Sequence, residues 1–408
     1  MSVFAMQQTK QCLPQSAMDR GHPRAISWRE SIAEVLPIVR AARDDAEARR
    51  CLPPHLVSAL ADAGLFWMLT PRSLGGRELD PLTRMEMIEA LARVDGSTAW
   101  CVEIGSGTAW MLSGWLREDV ARELLCREPR PIVAGAVANP AGRARKVDGG
   151  YRVTGRWAWG SGCTHSTWFI GGCLVTDGDQ PCLSMDGTPV LRSVVMSSSE
   201  VQIIDTWTST GLRGSGSHDY AVQDIFVPEE RSFWLPSDPP YQAGPLFAFR
   251  GIFLCAAAAI ATGIARGAID TLVELAGSKV PSRSTALLRE RPTVQAQVAR
   301  AVALVESARA LAWQATTAVW NAVQAGLEVS VTQRALYRLA ITNAVSSAVE
   351  AVDLVYSAGG GTSVFASSSL DRAFRDIHTL AQHATLGHLT LEPAGRMFLG
   401  LDPGAPLF

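Results

Sequence analysis

Apolar and polar positions divide the chain into three parts. From residue 28 to about 130, apolar residues recur with the period of amphipathic helices, and Pro54 and Pro81 stand where helices would begin. From 131 to about 237, the pattern changes to short runs rich in Val, Ile, Thr and Trp, with turn signals between them. Beyond a Pro-rich linker at 236–245, the chain is Ala-rich and helical again. The pattern predicts helices, then strands, then helices.

This order predicts a fold that is mainly α with a central β-domain. Runs of strands flanked by runs of helices, without strand–helix alternation, exclude a doubly wound sheet. Breaks near 278–284, Gly326 and 359–361 divide the last part into four long helices, which fits a four-helix bundle. The expected units are an N-terminal extension (1–27), an N-terminal α-helical domain (28–130), a middle β-barrel or β-sandwich domain (131–237) and a C-terminal helical bundle (238–408).

One strand of the middle part can be placed from its alternation. Tyr151, Val153, Trp157 and Trp159 alternate with polar or small residues, which is the period of a half-buried strand. We therefore expect these four side chains to share the buried face.

The charge balance and the cysteines narrow the possible partners. The chain has 37 basic and 39 acidic residues of mixed order, so no basic stripe indicates nucleic acid or an anionic membrane. Its eight cysteines show no C-x-x-C spacing, which disfavours a disulfide framework and a metal site, and we expect reduced thiols in the cytoplasm. The N-terminus lacks the apolar segment of a signal peptide. The apolar run at 251–265 is shorter than a membrane span and predicts a buried helix.

The glycine cluster Gly211-Leu-Arg-Gly-Ser-Gly216 has two interpretations from the residues alone. A dinucleotide-binding loop must open a helix, but the sequence after Gly216 has the pattern of a strand, and the glycine spacing differs. A plain surface turn is the common alternative. We therefore find no pattern for a nicotinamide-binding site in the sequence.

Four segments resemble the acyl-CoA dehydrogenase superfamily, in the same order along the chain. They are Gly155-Arg-Trp-Ala-Trp-Gly-Ser-Gly162, Trp207-Thr-Ser-Thr-Gly-Leu-Arg-Gly-Ser-Gly-Ser-His-Asp-Tyr220, Asp224-Ile-Phe-Val-Pro228 and Gly263-Ile-Ala-Arg-Gly-Ala268. The first two resemble flavin-contacting segments, the third resembles the strand that leaves the middle domain, and the fourth resembles the first C-terminal helix. The resemblance implies that the protein binds a flavin.

The resemblance also implies a set of flavin contacts. Arg291-Pro-Thr-Val-Gln295 resembles a helix start that reaches a neighbouring subunit's cofactor, and 359–361 resembles a turn over its phosphates; an ordinary helix start and turn are the alternatives. A homotetramer, or at least a dimer, would then be the active unit. The implied cofactor-binding residues are Trp159, Ser161, Gly162, Arg213, Gly214, Ser215, Ser217, Gln295, Gly359 and Gly360.

The residues after Arg375-Asp376 distinguish two reactions within the superfamily. Many dehydrogenases carry a catalytic glutamate where this chain has Ala384, which cannot accept a proton. Glu274 on the first long C-terminal helix is an alternative base. His383 matches a histidine of the flavin-dependent monooxygenase branch, and His378 is a second, weaker candidate, since three histidines spaced by five on one helix cannot all face one pocket.

One feature of that branch is missing. Several of its members carry another active-site histidine after a Gly-Ser-x-Ala segment on an early helix. Here Gly96-Ser-Thr-Ala-Trp100 is present, but the continuation Cys101-Val-Glu-Ile-Gly-Ser-Gly-Thr108 contains no histidine. Chemistry that needs two imidazoles is therefore not expected from these two positions.

The resemblance implies a reduced-flavin monooxygenase, the oxygenase component of a two-component system. Its cofactor would be reduced FMN or FAD from a separate NAD(P)H:flavin reductase, and O2 would be activated as a C4a-hydroperoxide in a pocket that excludes water. His383 would act as the base for a small, aromatic or secondary-metabolite substrate, and Ser161 would orient substrate or flavin. An FAD-dependent acyl-CoA dehydrogenase and a non-catalytic flavin-binding protein are the alternatives.

Overall fold

A computed structural model describes residues 28–136 and 140–404, and the expected extension over 1–27 lies outside the described residues. The N-terminal part is helical, as predicted. Pro54 and Pro81 each occupy the first turn of a helix, and Asp80 caps the second by accepting hydrogen bonds from the amides of Leu82 and Thr83. The helices are α1 (Trp28–Arg49), α2 (Pro54–Asp62), α3 (Pro81–Ala92), α4 (Gly96–Trp115) and α5 (Glu118–Leu125).

The middle part forms a sheet, also as predicted. Among the described residues its main path runs β7-β8-β3-β2-β4-β6-β9, with β1 and β5 pairing with β4. The β3–β8 ladder is antiparallel and places Gly160 opposite His218. The strands are β1 (Val133–Ala136), β2 (Gly142–Val147), β3 (Gly150–Gly160), β4 (Trp168–Asp177), β5 (Gln180–Pro181), β6 (Leu191–Ser197), β7 (Gln202–Ile204), β8 (His218–Pro228) and β9 (Ser232–Phe233).

The predicted alternation in β3 is confirmed up to Trp157 and is wrong at Trp159. Tyr151, Val153 and Trp157 are buried between the sheet and its loops, whereas 69% of Trp159 is exposed. The cause is a register shift between Trp157 and Gly160, where Trp159 adopts a positive φ of 61°. Such a bulge turns one side chain out of its regular face.

The C-terminal part is a bundle in which three helices are long and the fourth, α10, has 12 residues. The predicted breaks at 278–284, Gly326 and 359–361 all fall between helices. The helices are α6 (Pro245–Ala248), α7 (Cys255–Ser278), α8 (Pro292–Gln324), α9 (Val331–Gly359), α10 (Ser369–Leu380) and α11 (Leu391–Phe398). The predicted fold class, helices on both sides of a central sheet, is confirmed.

Helix α7 packs closely against the end of α3 because of two glycines. A Cβ at Gly263 would lie 2.6 Å from the carbonyl oxygen of Glu89, and one at Gly267 would collide with the carbonyl of Arg93. The N-terminal and C-terminal helices therefore share one hydrophobic core. Two helical segments are apolar and long enough to cross a membrane, 252–278 and 331–362, but 78% and 50% of their most apolar windows are buried inside the fold. The prediction of a buried helix at 251–265 is confirmed.

Candidate active site

Two segments that are distant in sequence meet at one end of the β3–β8 ladder. Because Gly160 pairs with His218, the next residues, Ser161 and Ser217, emerge side by side. Their hydroxyl oxygens are 2.8 Å apart, and the hydroxyl of Ser215 is 2.7 Å from that of Ser217. We call these three residues the hydroxyl chain. All three are buried, with 6% or less of each residue exposed.

The loop that carries Ser215 and Ser217 is hydrogen-bonded to helix α10. A carboxylate oxygen of Asp376 accepts a hydrogen bond of 2.6 Å from the amide of Leu212. Burial, followed by the neighbouring Asp95, raises the pKa of Asp376 to about 7. A Cβ at Gly211 would collide with the carbonyl of Arg375, so this position requires glycine. The surface-turn interpretation of the glycine cluster is wrong, because Gly214 and Ser215 are buried and Gly214 lies against Ala46 of α1 and Ser97 of α4.

Other predicted flavin contacts surround the hydroxyl chain. The amide of Gly162 donates to the carbonyl of Ser215 at 2.9 Å, which ties the two segments together. Arg213 is half-buried, and its guanidinium donates to the carbonyl of Ser209 at 3.0 Å, which braces its own loop. Trp159 presents an exposed indole beside Ser161. An open aromatic face next to hydroxyl and amide groups suits a planar heterocycle with polar edges, so these residues fit a flavin ring.

A residue that the sequence analysis quoted but did not assign joins this region to His383. The indole N–H of Trp100, on α4, donates to Ser161 Oγ at 2.8 Å. The same indole contacts the imidazole of His383 edge to face, with ring centroids 5.2 Å apart. Trp100 is buried, and the two predicted catalytic residues both contact its indole.

His383 does not lie on a helix, so the prediction that three histidines spaced by five share one helix is wrong. Helix α10 ends at Leu380, and His383 lies in the following turn. His383 is exposed, although protein atoms, including the indole of Trp100, pack around its imidazole. This desolvation, together with the positive charge of Arg338, lowers the pKa of His383 to about 4. Above that pH the ring is neutral.

The turn that carries His383 is fixed from two directions. Its Nδ1 lies 2.9 Å from the hydroxyl of Thr385 and 3.3 Å from the Thr385 amide. The guanidinium of Arg338, which is buried on α9, donates to the carbonyl of Thr385 at 2.7 Å. The sequence analysis missed Arg338, because nothing in a helical pattern marks a buried arginine.

The other candidate bases lie elsewhere. His378 Nε2 is hydrogen-bonded to the carboxylate of Asp353 at 2.9 Å, and the ring packs on Phe374, so its imidazole is engaged on the bundle surface. The side chain of His388 lies outside the described part of the structure. Glu274 is exposed on α7, and Ala384 is exposed beside His383.

The early helix has a buried ion pair near the region where the missing histidine was sought. Arg84, on α3, bonds to the carboxylate of Glu103 and to the hydroxyl of Ser106, both on α4. Arg84 also donates to the carbonyl of Phe253 at 2.7 Å, which fixes the turn before α7. Burial raises the pKa of Glu103 despite the guanidinium beside it. These residues hold α3, α4 and α7 together and are already paired with one another.

A second region lies at the far ends of α7 and α9. An open groove of about 980 Å³ contains Lys279, Arg291, Gln297 and the glycines at 359–361. Lys279 donates to the carbonyl of Gly359 at 2.7 Å and to the hydroxyl of Thr362 at 2.6 Å. The predicted Gln295 is exposed, and its amide donates to the carbonyl of Arg289. Two cationic side chains around a glycine turn suit a phosphate group.

Comparison with known proteins identifies similar sequences and structures. The families described as "Acyl-CoA dehydrogenase, N-terminal domain" and "Acyl-CoA dehydrogenase, C-terminal domain" match residues 27–127 and 255–387. The indole-3-acetate monooxygenase of Pseudomonas putida is 31% identical over 368 residues, which cover 89% of this chain and 91% of that protein. The chain belongs to the flavin-dependent monooxygenases of the acyl-CoA dehydrogenase superfamily. The family predicted from the sequence is confirmed.

Two further comparisons support this assignment. The flavin-dependent monooxygenase oxygenase subunit HsaA of Mycobacterium tuberculosis is 30% identical, with 87% of this chain and 90% of that protein covered. The structure of XiaF from Streptomyces sp. in complex with FADH2 and glycerol superposes with a TM-score of 0.84 at 27% identity, covering 93% of this chain and 96% of the other. The similarity therefore extends over all three parts of this monooxygenase.

Proposed function

We propose that this monooxygenase is the oxygenase component of a two-component system and inserts one oxygen atom into a small aromatic substrate, such as a phenol or an indole. The observation that carries the proposal is the meeting of the hydroxyl chain and His383 at Trp100. Reduced FMN or FAD supplies the electrons and activates O2 when bound. Trp159, Ser161, Gly162 and the loop of Ser215 would hold its ring.

The proposed base is Nε2 of His383. Nε2 accepts a proton only if the ring hydrogen is on Nδ1, and the Thr385 hydroxyl, 2.9 Å away, can accept that hydrogen. The Thr385 amide, 3.3 Å away, can only donate to Nδ1, so the proposed tautomer requires that this contact be given up when substrate binds. A neutral imidazole in this tautomer would take the proton from a substrate hydroxyl or amine. The edge of Trp100 keeps water from one side of the ring and suits an aromatic substrate.

The dehydrogenase alternative has no comparable support. Ala384 cannot accept a proton, and Glu274 is exposed on α7. By contrast, the names of relatives refer to aromatic compounds, including indole-3-acetate and, for a protein of Rhizobium, resorcinol. These names support an aromatic substrate for this chain.

The test of this function is a single turnover with labelled oxygen. Chemically reduced FAD is mixed anaerobically with the protein and a panel of phenols, indoles, amines and thioethers, and isotopically labelled O2 is then added. We expect one substrate class to gain a single labelled oxygen atom, measured by mass spectrometry, with no gain when the protein is omitted. Label taken from water, or no oxygenated product from any class, would contradict the proposal.

We also propose that the groove at Lys279 and Arg291 binds the diphosphate of a flavin whose ring lies on a neighbouring copy of the chain. Ile264 of α7 lies against Gly96, near the loop of the hydroxyl chain, whereas Lys279 follows fifteen residues later. At 1.5 Å per residue, that is about 22 Å along the helix. This separation favours a shared cofactor in a dimer or a homotetramer. A cytoplasmic location, where a reductase supplies reduced flavin, is part of the same proposal.

Arg291→Ala is expected to weaken the binding of FAD by about 10- to 100-fold, the range for loss of a hydrogen bond to a charged group. The binding of FMN, which lacks the adenosine monophosphate half of FAD and carries only one phosphate, should be weakened less. Arg289→Ala, which removes an exposed guanidinium two residues earlier, is the matched control. The measurement is a fluorescence titration with both flavins, accompanied by light scattering for the oligomeric state. Equal losses for FAD and FMN, or none for either, would count against this role of the groove.

A further inference from the structure

The direction of hydrogen bonding in the hydroxyl chain is set by Trp100. An indole nitrogen can only donate, so the bond of 2.8 Å from Trp100 Nε1 occupies one of the two lone pairs of Ser161 Oγ. The hydrogen of Ser161 then has two possible positions. It points either to Ser217 or out of the chain, toward a bound ligand.

The buried end of the chain distinguishes these positions. If Ser161 donates to Ser217, the bond between Ser215 and Ser217 uses only one of the hydrogens of these two residues, and the other hydrogen needs a further acceptor. Among the residues that the structure describes, the Ser215 hydroxyl bonds only to that of Ser217, and Ser215 is 1% exposed. An unpaired hydrogen on a buried hydroxyl is unfavourable.

The reverse direction leaves no hydrogen unpaired inside the protein. Ser215 donates to Ser217, and Ser217 donates to Ser161, whose second lone pair is then filled. Both lone pairs of Ser161 are occupied, one by Trp100 and one by Ser217. Its own hydrogen has no acceptor within the chain and is directed outward.

We propose that Trp100 and Ser217 are positioning residues that make Ser161 an obligate hydrogen-bond donor to an acceptor atom of the bound flavin or substrate. The proposal rests on the proposed contact of Ser161 with one of these molecules. A serine with a free lone pair could accept as well as donate, and it would not discriminate between a protonated and an unprotonated ring atom. The constraint by Trp100 and Ser217 removes that ambiguity before the ligand arrives.

The test is a double-mutant cycle between Trp100→Phe and Ser161→Ala. Trp100→Phe keeps an aromatic ring against His383 but removes the N–H, so Ser161 regains a free lone pair. We expect flavin affinity or the ratio of product to hydrogen peroxide to fall by about 2- to 10-fold, the effect of one neutral hydrogen bond. In the Ser161→Ala background, Trp100→Phe should cause little further change, because its partner is already absent.

Two readouts distinguish the ligand that receives the hydrogen bond. A weaker affinity for flavin, measured by titration, assigns the acceptor to the flavin, whereas an increased KM at unchanged flavin affinity assigns it to the substrate. Trp110→Phe is the matched control, since Trp110 is on the same helix and donates its N–H to the carbonyl of Leu246. It should leave the ratio of product to peroxide unchanged. If Trp100→Phe does not fold, as judged by circular dichroism, Ser217→Ala replaces it in the same cycle.

The outcomes separate this inference from the function on which it rests. Fully additive effects of Trp100→Phe and Ser161→Ala would overturn the positioning role while leaving Ser161 in the site. A Ser161→Ala variant with unchanged flavin affinity, KM and product ratio would remove Ser161 from the site and overturn both its proposed ligand contact and the positioning role, whereas the oxygenase function is decided by the labelled-oxygen experiment. We expect Trp100→Phe to have little effect on flavin affinity, KM or product ratio once Ser161 has been replaced by alanine.

Discussion

Replacing His383 with asparagine is expected to lower the turnover rate by about 10²–10⁴-fold, the usual contribution of a general base. Asparagine has a similar size and can still donate and accept hydrogen bonds, but it cannot accept a proton near neutral pH. Flavin binding should be almost unchanged, because His383 reaches the hydroxyl chain only through Trp100. The measurement is stopped-flow mixing of the variant, reduced flavin, substrate and O2, with product and hydrogen peroxide determined separately.

His378→Asn is the matched control for this variant. It makes the same substitution at an imidazole that is paired with Asp353, outside the proposed site. We expect it to retain turnover. Oxygen consumption that continues in His383→Asn, but with hydrogen peroxide as the product, would support the assigned role. A normal yield of oxygenated product from His383→Asn would return this residue to an ordinary packing function.

The pH dependence provides a second readout of the same prediction. The pKa of His383 is lowered to about 4, so the ring is already neutral in the folded protein where a free histidine would be half protonated. We expect the base to remain competent down to about pH 5, with loss of turnover only as the pH approaches 4. A loss centred near pH 6.5, which is abolished in His383→Asn, would contradict the lowered pKa.

The lowered pKa of His383 also makes the folding stability of the protein depend on pH. Between about pH 4 and 6.5 the unfolded chain binds a proton at His383 and the folded chain does not, so folding stability rises with pH across this window. The contribution of the neutral His383 imidazole to folding stability is fully present above pH 6.5 and is lost as the pH falls toward 4. Denaturant unfolding of His383→Asn at several pH values should therefore show a weaker pH dependence than the unchanged protein.

Turnover is expected to be absent when the protein is given only NADH, oxidised flavin, O2 and substrate, and to appear when a flavin reductase is added. The physical reason is that the glycine-rich loop at 211–216 leads into strand β8, whereas a dinucleotide loop must lead into a helix. Among the described residues, we identify no other loop with the required glycine spacing. The assay follows NADH absorbance and product formation in the same sample.

Photochemically reduced flavin serves as the control for this prediction. Added anaerobically and then exposed to O2, it should give product without NADH or reductase. This result would show that the oxygenase is functional and that only the supply of electrons was missing. Oxidation of NADH by the chain alone, in proportion to product, would refute the two-component proposal.

Two residues illustrate why some predictions failed. The alternation of Tyr151, Val153 and Trp157 correctly located a half-buried strand, but Trp159 is exposed because the β3–β8 register slips by one position there. A bulge depends on the partner strand, which periodicity in one segment cannot reveal. His383 was treated as part of a helix, although α10 ends at Leu380 with Ala381 as its C-cap.

The sequence by itself determined the order of helices and strands, the superfamily and the replacement of the catalytic glutamate by Ala384, because these depend on local periodicity and on contiguous motifs. It also marked Ser161, Ser217 and His383 as separate candidates. Only the tertiary structure decided that Ser161 and His383 both contact Trp100, that Ser217 bonds to Ser161, that Asp376 holds the loop of the hydroxyl chain and that Arg338 fixes the turn of His383. These relations join residues that are up to 283 positions apart in the case of Trp100 and His383. Buried hydrogen bonds between such distant residues depend on how the helices and the sheet pack, and no local pattern encodes that packing.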